Sequence, residues 1–135
     1  MNVLNAAIYS RLQTTSAITS LLSGTTAIYN QQAPEGATLP FIVFSTPSEL
    51  DDNMTQNRTK NNIVYIRAYS GNSAAQAGSI DAAIDTALHL IPLTVSGWTN
   101  FWMAREQGIE LVETQPTGKQ IFSMGANYRV RLNLS

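Results

Sequence analysis

The side chains able to do chemistry are few, and their spacing keeps them apart. The single histidine, His89, follows Asp85 by four residues and Asp81 by eight, so the three form a ladder along one side of a helical stretch. Imidazole and carboxylate are metal-ligand types. Three ligands on one straight helix nevertheless span about two turns, roughly 12 Å, which is too long for one ion. The ladder therefore reads as the solvated face of an amphipathic helix, and a small metal-dependent enzyme is a minor alternative. Asp51 and Asp52 are neighbours in a polar stretch with no nucleophile beside them. Glu110 and Glu113 alternate onto opposite faces of a strand, so the two cannot act on one atom. No G-x-S-x-G, G-x-x-x-x-G-K-[ST] or G-x-G-x-x-G occurs, which removes the nucleophile elbow and both common phosphate cradles. With no cysteine, disulfides, thiolate catalysis and Cys-based zinc sites are excluded. The expectation is a protein with no catalytic residue, no metal and no cofactor.

Charge excludes a second class. Eight basic and nine acidic residues leave a net charge of −1, so no global field draws in nucleic acid or anionic lipid. Arg58 and Lys60 sit in the polar stretch. Arg129 and Arg131 share one face of the last strand, where they can equally meet Glu110 or Glu113 across the sheet. Trp98 and Trp102 fall on one face of a strand and read as core or interface rather than base-stacking platforms. Charged residues make up only 13% of the chain, about half the usual share, and such a surface resists close packing of copies poorly.

The elements that must position these residues can be read in order. Its 135 residues make one domain, 1–135, large enough for a real core. Asn2 is placed to cap a helix with Val3, Leu4, Ala7, Ile8 and Leu12 as its apolar stripe. Ser16 then caps a short second helix carrying Ile18, Leu21 and Leu22, and Gly24 ends it. Thr26 to Tyr29 is a short strand. Phe41–Phe44 and Ile63–Tyr69, both bounded by turn formers, read as a hairpin with an oversized polar loop from Ser48 to Asn62. On its second strand Val64, Ile66 and Ala68 form the core side, which leaves Tyr65, Arg67 and Tyr69 outward. Ser73 opens a long amphipathic helix with Ala77, Ile80, Ile84, Ala87, Leu88 and Ile91 inward, stopped by Pro92. The last third is β: Trp98–Glu106, a turn or bulge at Gln107-Gly108, Ile109–Thr114, and an alternating strand from Gln120 to Leu134. The fold expected is α+β, an antiparallel or mixed sheet with an N-terminal helix pair and one long helix packed on it.

Two sequons, Asn53-Met54-Thr55 and Asn57-Arg58-Thr59, read as polar loop, since no signal peptide pattern precedes them. No apolar run approaches the length that spans a bilayer. A cytosolic, soluble protein without membrane partners is expected.

The order of short apolar pieces resembles a known family. Ile18-x-x-Leu21-Leu22-Ser23-Gly24, then Ala27-Ile28-Tyr29, a loop with Pro34, Leu39-Pro40-Phe41-Ile42-Val43, Val64-Tyr65-Ile66-Arg67-Ala68-Tyr69-Ser70 and the helix from Ser73-Ala74-Ala75 follow one another as in the tail-completion proteins of long-tailed bacteriophages. These are also called tail terminators or head-to-tail joining proteins. The resemblance implies a structural virion protein with no enzymatic activity, assembled in the host cytoplasm. It implies a homohexameric ring that caps the tail tube, stops its growth and docks onto the head-closure or portal neck. Genome DNA passes through the lumen without sequence-specific binding. Two groups of residues are expected to serve this. Glu49, Asp51, Asp52, Arg58 and Lys60 belong to a docking or lumen loop. Tyr65, Arg67, Tyr69, Trp98 and Trp102 belong to subunit or partner contacts, since aromatics are enriched in interface cores. Another neck or tail component, such as a head-closure protein or tube subunit, is the alternative.

Overall fold

A computed structural model describes residues 1–52, 56–114 and 116–135. Helix α1 (Asn2–Thr14) turns one stripe, Leu4, Ile8 and Leu12, fully inward, each side chain contributing about 2 kcal/mol of apolar burial. The cap position falls on Met1 rather than Asn2, with no side-chain cap. Helix α2 is a single turn, Ser16–Thr19, whose cap position falls on Thr15 rather than Ser16, with no side-chain cap. It ends at Ser20, four residues short of Gly24, and Leu21 is left on the surface.

Helix α3 (Ala74–Leu88) begins as the sequence indicates, with the Ser73 hydroxyl accepting the Gln76 N–H at 3.1 Å. It buries Ala77, Ile80, Ile84 and Leu88. At 15 residues it is of ordinary length, and it stops at Leu88 rather than at Pro92. Leu90 there takes a left-handed φ of +60°, and Arg11 of α1 donates to the Ala87 and Pro92 carbonyls at 3.0 and 2.8 Å. That guanidinium serves carbonyls that the end of a helix leaves open.

Six strands form one mixed sheet in the order β1-β2-β3-β6-β5-β4. They are β1 (Ile28–Asn30), β2 (Phe41–Asp52), β3 (Thr59–Ser70), β4 (Thr94–Val95), β5 (Trp98–Thr114) and β6 (Gln120–Leu134). Only β1 and β2 run parallel. The helices cover one face, where Val64, Ile66 and Ala68 of β3 meet Ala126, Tyr128, Val130 and Leu132 of β6 in the core. Among the described residues the opposite face carries no helix, and the sheet as a whole is curled into a half-barrel.

One expectation fails because a polar stretch pairs anyway. The region from Ser48 to Asn62 is not an oversized loop. Strand β2 runs on through Asp52 and β3 begins at Thr59, past a bulge between Ser45 and Ser48 that accommodates Pro47. Polarity there reflects cross-strand ion pairing, as Asp51 sits directly opposite Lys60. Of the two sequons, Asn53-Met54-Thr55 lies outside the described residues, while Thr59 of the other is a strand residue bonded to Asn133.

At Gln107-Gly108 the chain forms the bulge, not the turn, of the two forms expected there, and β5 continues through it. Register shifts between Asn100 and Trp102 and between Arg105 and Gln107 bend it without ending it. The first shift flips the alternation. Trp98 packs against the core and Trp102 stands on the helix-free face, 46% exposed, so the two tryptophans do not share a face.

Gly125 of β6 sits directly opposite Arg67 of β3. A Cβ there would meet the Ile66 carbonyl oxygen at 2.3 Å and the Arg67 Cα at 2.8 Å. Backbone cannot yield as a side-chain tip can. Gly125→Ala should destabilise the fold by about 1–3 kcal/mol, read from urea midpoints, whereas Gly24→Ala, with open space around it, should stay within about 0.5 kcal/mol.

Candidate assembly surfaces

The structure disperses the candidate metal ladder. Asp81 is 5% exposed, and both its oxygens accept from Arg105, at 3.1 and 2.8 Å. The Nδ1 of His89 accepts the Arg105 backbone N–H at 3.1 Å. Two members of the ladder thus hold one residue of β5, and the face of α3 expected to be solvated is packed against the sheet. Asp81 pushes the Arg105 guanidinium further toward its charged form. Beneath it, burial pushes the Tyr128 hydroxyl well above its usual range, and no aligned hydrogen bond reaches that hydroxyl. Among the described residues no group of three or more His, Asp or Glu is arranged to hold a metal ion. Register puts Glu110 opposite Met124 and Glu113 opposite Ile121, on opposite faces.

The polar residues assigned to the 48–62 region form an ion-pair cluster on the β2–β3 hairpin. Lys60 contacts Glu49 at 2.6 Å and Asp51 at 3.1 Å, the terminal amine of Met1 contacts Glu49 at 3.1 Å, and Arg58 stands 3.8 Å from Asp51. Lys60 also lies over the Trp98 ring, 6.0 Å from its centre. Arg131 reaches Asp52 and Arg129 reaches Glu106, at 3.3 and 3.0 Å. The partners of these two arginines are therefore Asp52 and Glu106, not Glu110 or Glu113.

The helix-free face gathers the aromatic residues singled out above. Tyr29, Phe41 and Tyr69 stack in sequence, with ring centres 5.7 and 5.2 Å apart. The Arg67 guanidinium lies over Tyr65 and Tyr69 at 4.9 and 5.6 Å. Partial burial raises both tyrosine hydroxyls above their ordinary value. Arg67, Phe41 and Val43 floor a cleft of about 320 Å³, bounded by Gln31 and Gln32 on one side and by Glu113 and Ile121 on the other. Tyr65, Arg67, Tyr69 and Trp102 share this face; Trp98 does not.

A surface that the sequence reading passed over is the outer edge of β5. Its first part is sealed. Strand β4 pairs with Trp98 and Thr99, the Asn100 side chain accepts the Leu93 N–H at 2.7 Å, Leu90 N–H donates to the Met103 carbonyl at 2.7 Å, and His89 takes the Arg105 N–H. From Gln107 to Thr114 no strand pairs with this edge among the described residues. Leu111 and Val112 point to opposite faces there and are 51% and 57% exposed. Natural edges are normally blunted by lysine, proline, bulges or short length. This segment has neither lysine nor proline, and that was the signal available in the sequence.

Residues 6–132 match the protein family described as Tail completion protein gp17. The chain belongs to that family, and so is a structural component of a bacteriophage tail and virion. Among solved structures, a chain in the virion of a native gene transfer agent particle is similar, with 19% identity over 96% of this chain and 94% of that one, and a TM-score of 0.75. The gp17 protein of bacteriophage SPP1 is also similar, with 16% identity over 99% and 90% and a TM-score of 0.54. Both likenesses are of fold. No curated protein matches the chain by sequence.

Two stability experiments follow from these contacts. Asp81→Ala leaves the part-buried Arg105 charge without its partner and should cost about 1–3 kcal/mol in chemical denaturation, whereas His89→Ala, which removes one acceptor, should cost about 1 kcal/mol. Lys60 and the terminal amine hold the Glu49 carboxyl below its usual 4.5. An acid so depressed stabilises the fold above that value and loses its contribution as pH falls through the folded-state value. The stability gap between the wild type and Glu49→Gln should be full at neutral pH and close on acidification below 4.5.

Proposed function

We propose that this protein is a tail terminator. In this reading, copies close into a homohexameric ring on the head-proximal end of the tail tube and end its growth. The ring then joins the tube to the head-closure or portal neck, and genome DNA passes through the lumen without being read. The role needs neither a catalytic step nor a cofactor. The observation that carries the reading, together with family membership, is the edge of β5 that no described strand pairs, on which Leu111 and Val112 stand exposed. A ring requires two different patches per subunit, and the sheet offers two unlike edges.

In this assignment Tyr65, Arg67, Tyr69 and Trp102 contribute contacts from the helix-free face, and Trp98 supports them from within. Glu49, Asp51, Asp52, Arg58 and Lys60 form a docking or lumen rim. That rim is a paired hairpin end, with its charges largely satisfied, so it is built to present a fixed shape more than a field. A tube subunit or head-closure protein is the competing reading within the same virion. The deciding experiment adds the purified chain to growing tail-tube protein and images the product. A ring at one end of each tube, with elongation arrested, is the expected result. Tubes that keep lengthening, or a lattice formed by this chain alone, would move the assignment to one of the competitors. In the same assay Trp102→Ala should weaken ring formation while leaving the melting temperature of the subunit unchanged.

A further inference from the structure

The free part of β5 and the short strand β1 lie at one level of the sheet. Register carries Tyr29 to Val43, Val43 to Arg67, Arg67 to Gly125 and Gly125 to Ile109, so these residues form a single row from one edge to the other. The strand directions along that row follow from the pairings. Strand β1 is parallel to β2, and each later step is antiparallel, so β5 is antiparallel to β1. If a second copy continues the sheet in the same orientation, its β1 arrives beside β5 in antiparallel register, with the helix-covered faces on one side.

We propose that Gln107 to Thr114 of one subunit pairs with β1 of the next, which makes this the joint between neighbouring copies of the chain. The proposal rests on the ring reading above and specifies its contact. Charge argues for this occupant over a β5–β5 pair. The free segment carries Glu110 and Glu113 and no cation, so two such edges in one ladder would add like charge to like on both faces, a pair of carboxylates on each. Residues 24–34, which include β1, carry no charge at all. The other long edge, that of β2 beyond Ser45, is excluded differently: a bulge and Pro47 interrupt it, and Glu49, Asp51 and Asp52 follow. On the helix-free face the joint places Ile109 and Leu111 against Tyr29 of the neighbour.

The chain has no cysteine, so introduced thiols report without background. Tyr29→Cys and Ile109→Cys are prepared as separate proteins, with Leu111→Cys to cover a two-residue stagger. They are mixed, assembled on tail tubes and mildly oxidised. The expected product is a covalent dimer containing one of each protein, absent when either is oxidised alone, because directly opposed strand residues come within disulfide reach. A covalent dimer from Ile109→Cys or Leu111→Cys alone would mean that β5 pairs with itself and would overturn the joint. So would rings that form normally with no mixed product. In a single chain that carries both Tyr29→Cys and Ile109→Cys, a disulfide formed only within that chain would mean that the sheet closes on itself, and would overturn it too. These results leave the terminator reading standing, whereas absence of any oligomer on tubes would remove both. As an independent check, Leu111→Lys adds the charge that natural edges use for protection. It should abolish assembly with the subunit still folded by circular dichroism, and undiminished assembly would count against the joint.

Discussion

Strands β3 and β6 run against each other for twelve residue pairs without a bulge, and at Gly125 the facing backbone leaves no room for a side chain. Every other element takes its place from this ladder. Its inward side chains form the floor on which α1 and α3 lie. The tight crossing at Gly125 also lets Arg67 lie flat between two tyrosines on the helix-free face, since its side chain passes where a Cβ would stand. Fold and candidate surface share one constraint there.

Much of this was legible in the chain. The alternation of Val64, Ile66 and Ala68 against Tyr65, Arg67 and Tyr69 placed both faces of β3, because period two survives wherever one face is buried. The apolar spacing from Ala77 to Leu88 and the Ser73 cap placed α3. What could not be read was pairing that depends on partners far away. Glu49, Asp51 and Lys60 look like loop residues one at a time, and only their opposition across a hairpin makes them strand. A bulge beside Phe101 is invisible to an alternation rule, so the faces of Trp98 and Trp102 were bound to be confused. Asp81 and His89 looked like solvent-facing residues because their common partner, Arg105, lies sixteen or more residues away on another element.

Family membership and geometry bear on function from different sides. The family assigns the chain to the phage tail. The structure adds that the acidic side chains of the β2–β3 hairpin are paired within the subunit, while Leu111 and Val112 stand exposed on the open edge of β5. A subunit with internally balanced charges and an open apolar edge is suited to fixed neighbours more than to transient ligands.

The sealing of β5 has a consequence for directionality. Along its outer edge, the half near Trp98 is closed by β4 and by residues 89–93, and the half toward Thr114 is open. Contact through that edge is therefore confined to one storey of the molecule, and the other storey keeps its surface whatever happens above. A collar of such subunits would have an upper and a lower rim of different composition, fixed by the chain itself before any partner arrives. A part that must sit between two unlike neighbours needs that polarity, and here one covered stretch of strand supplies it.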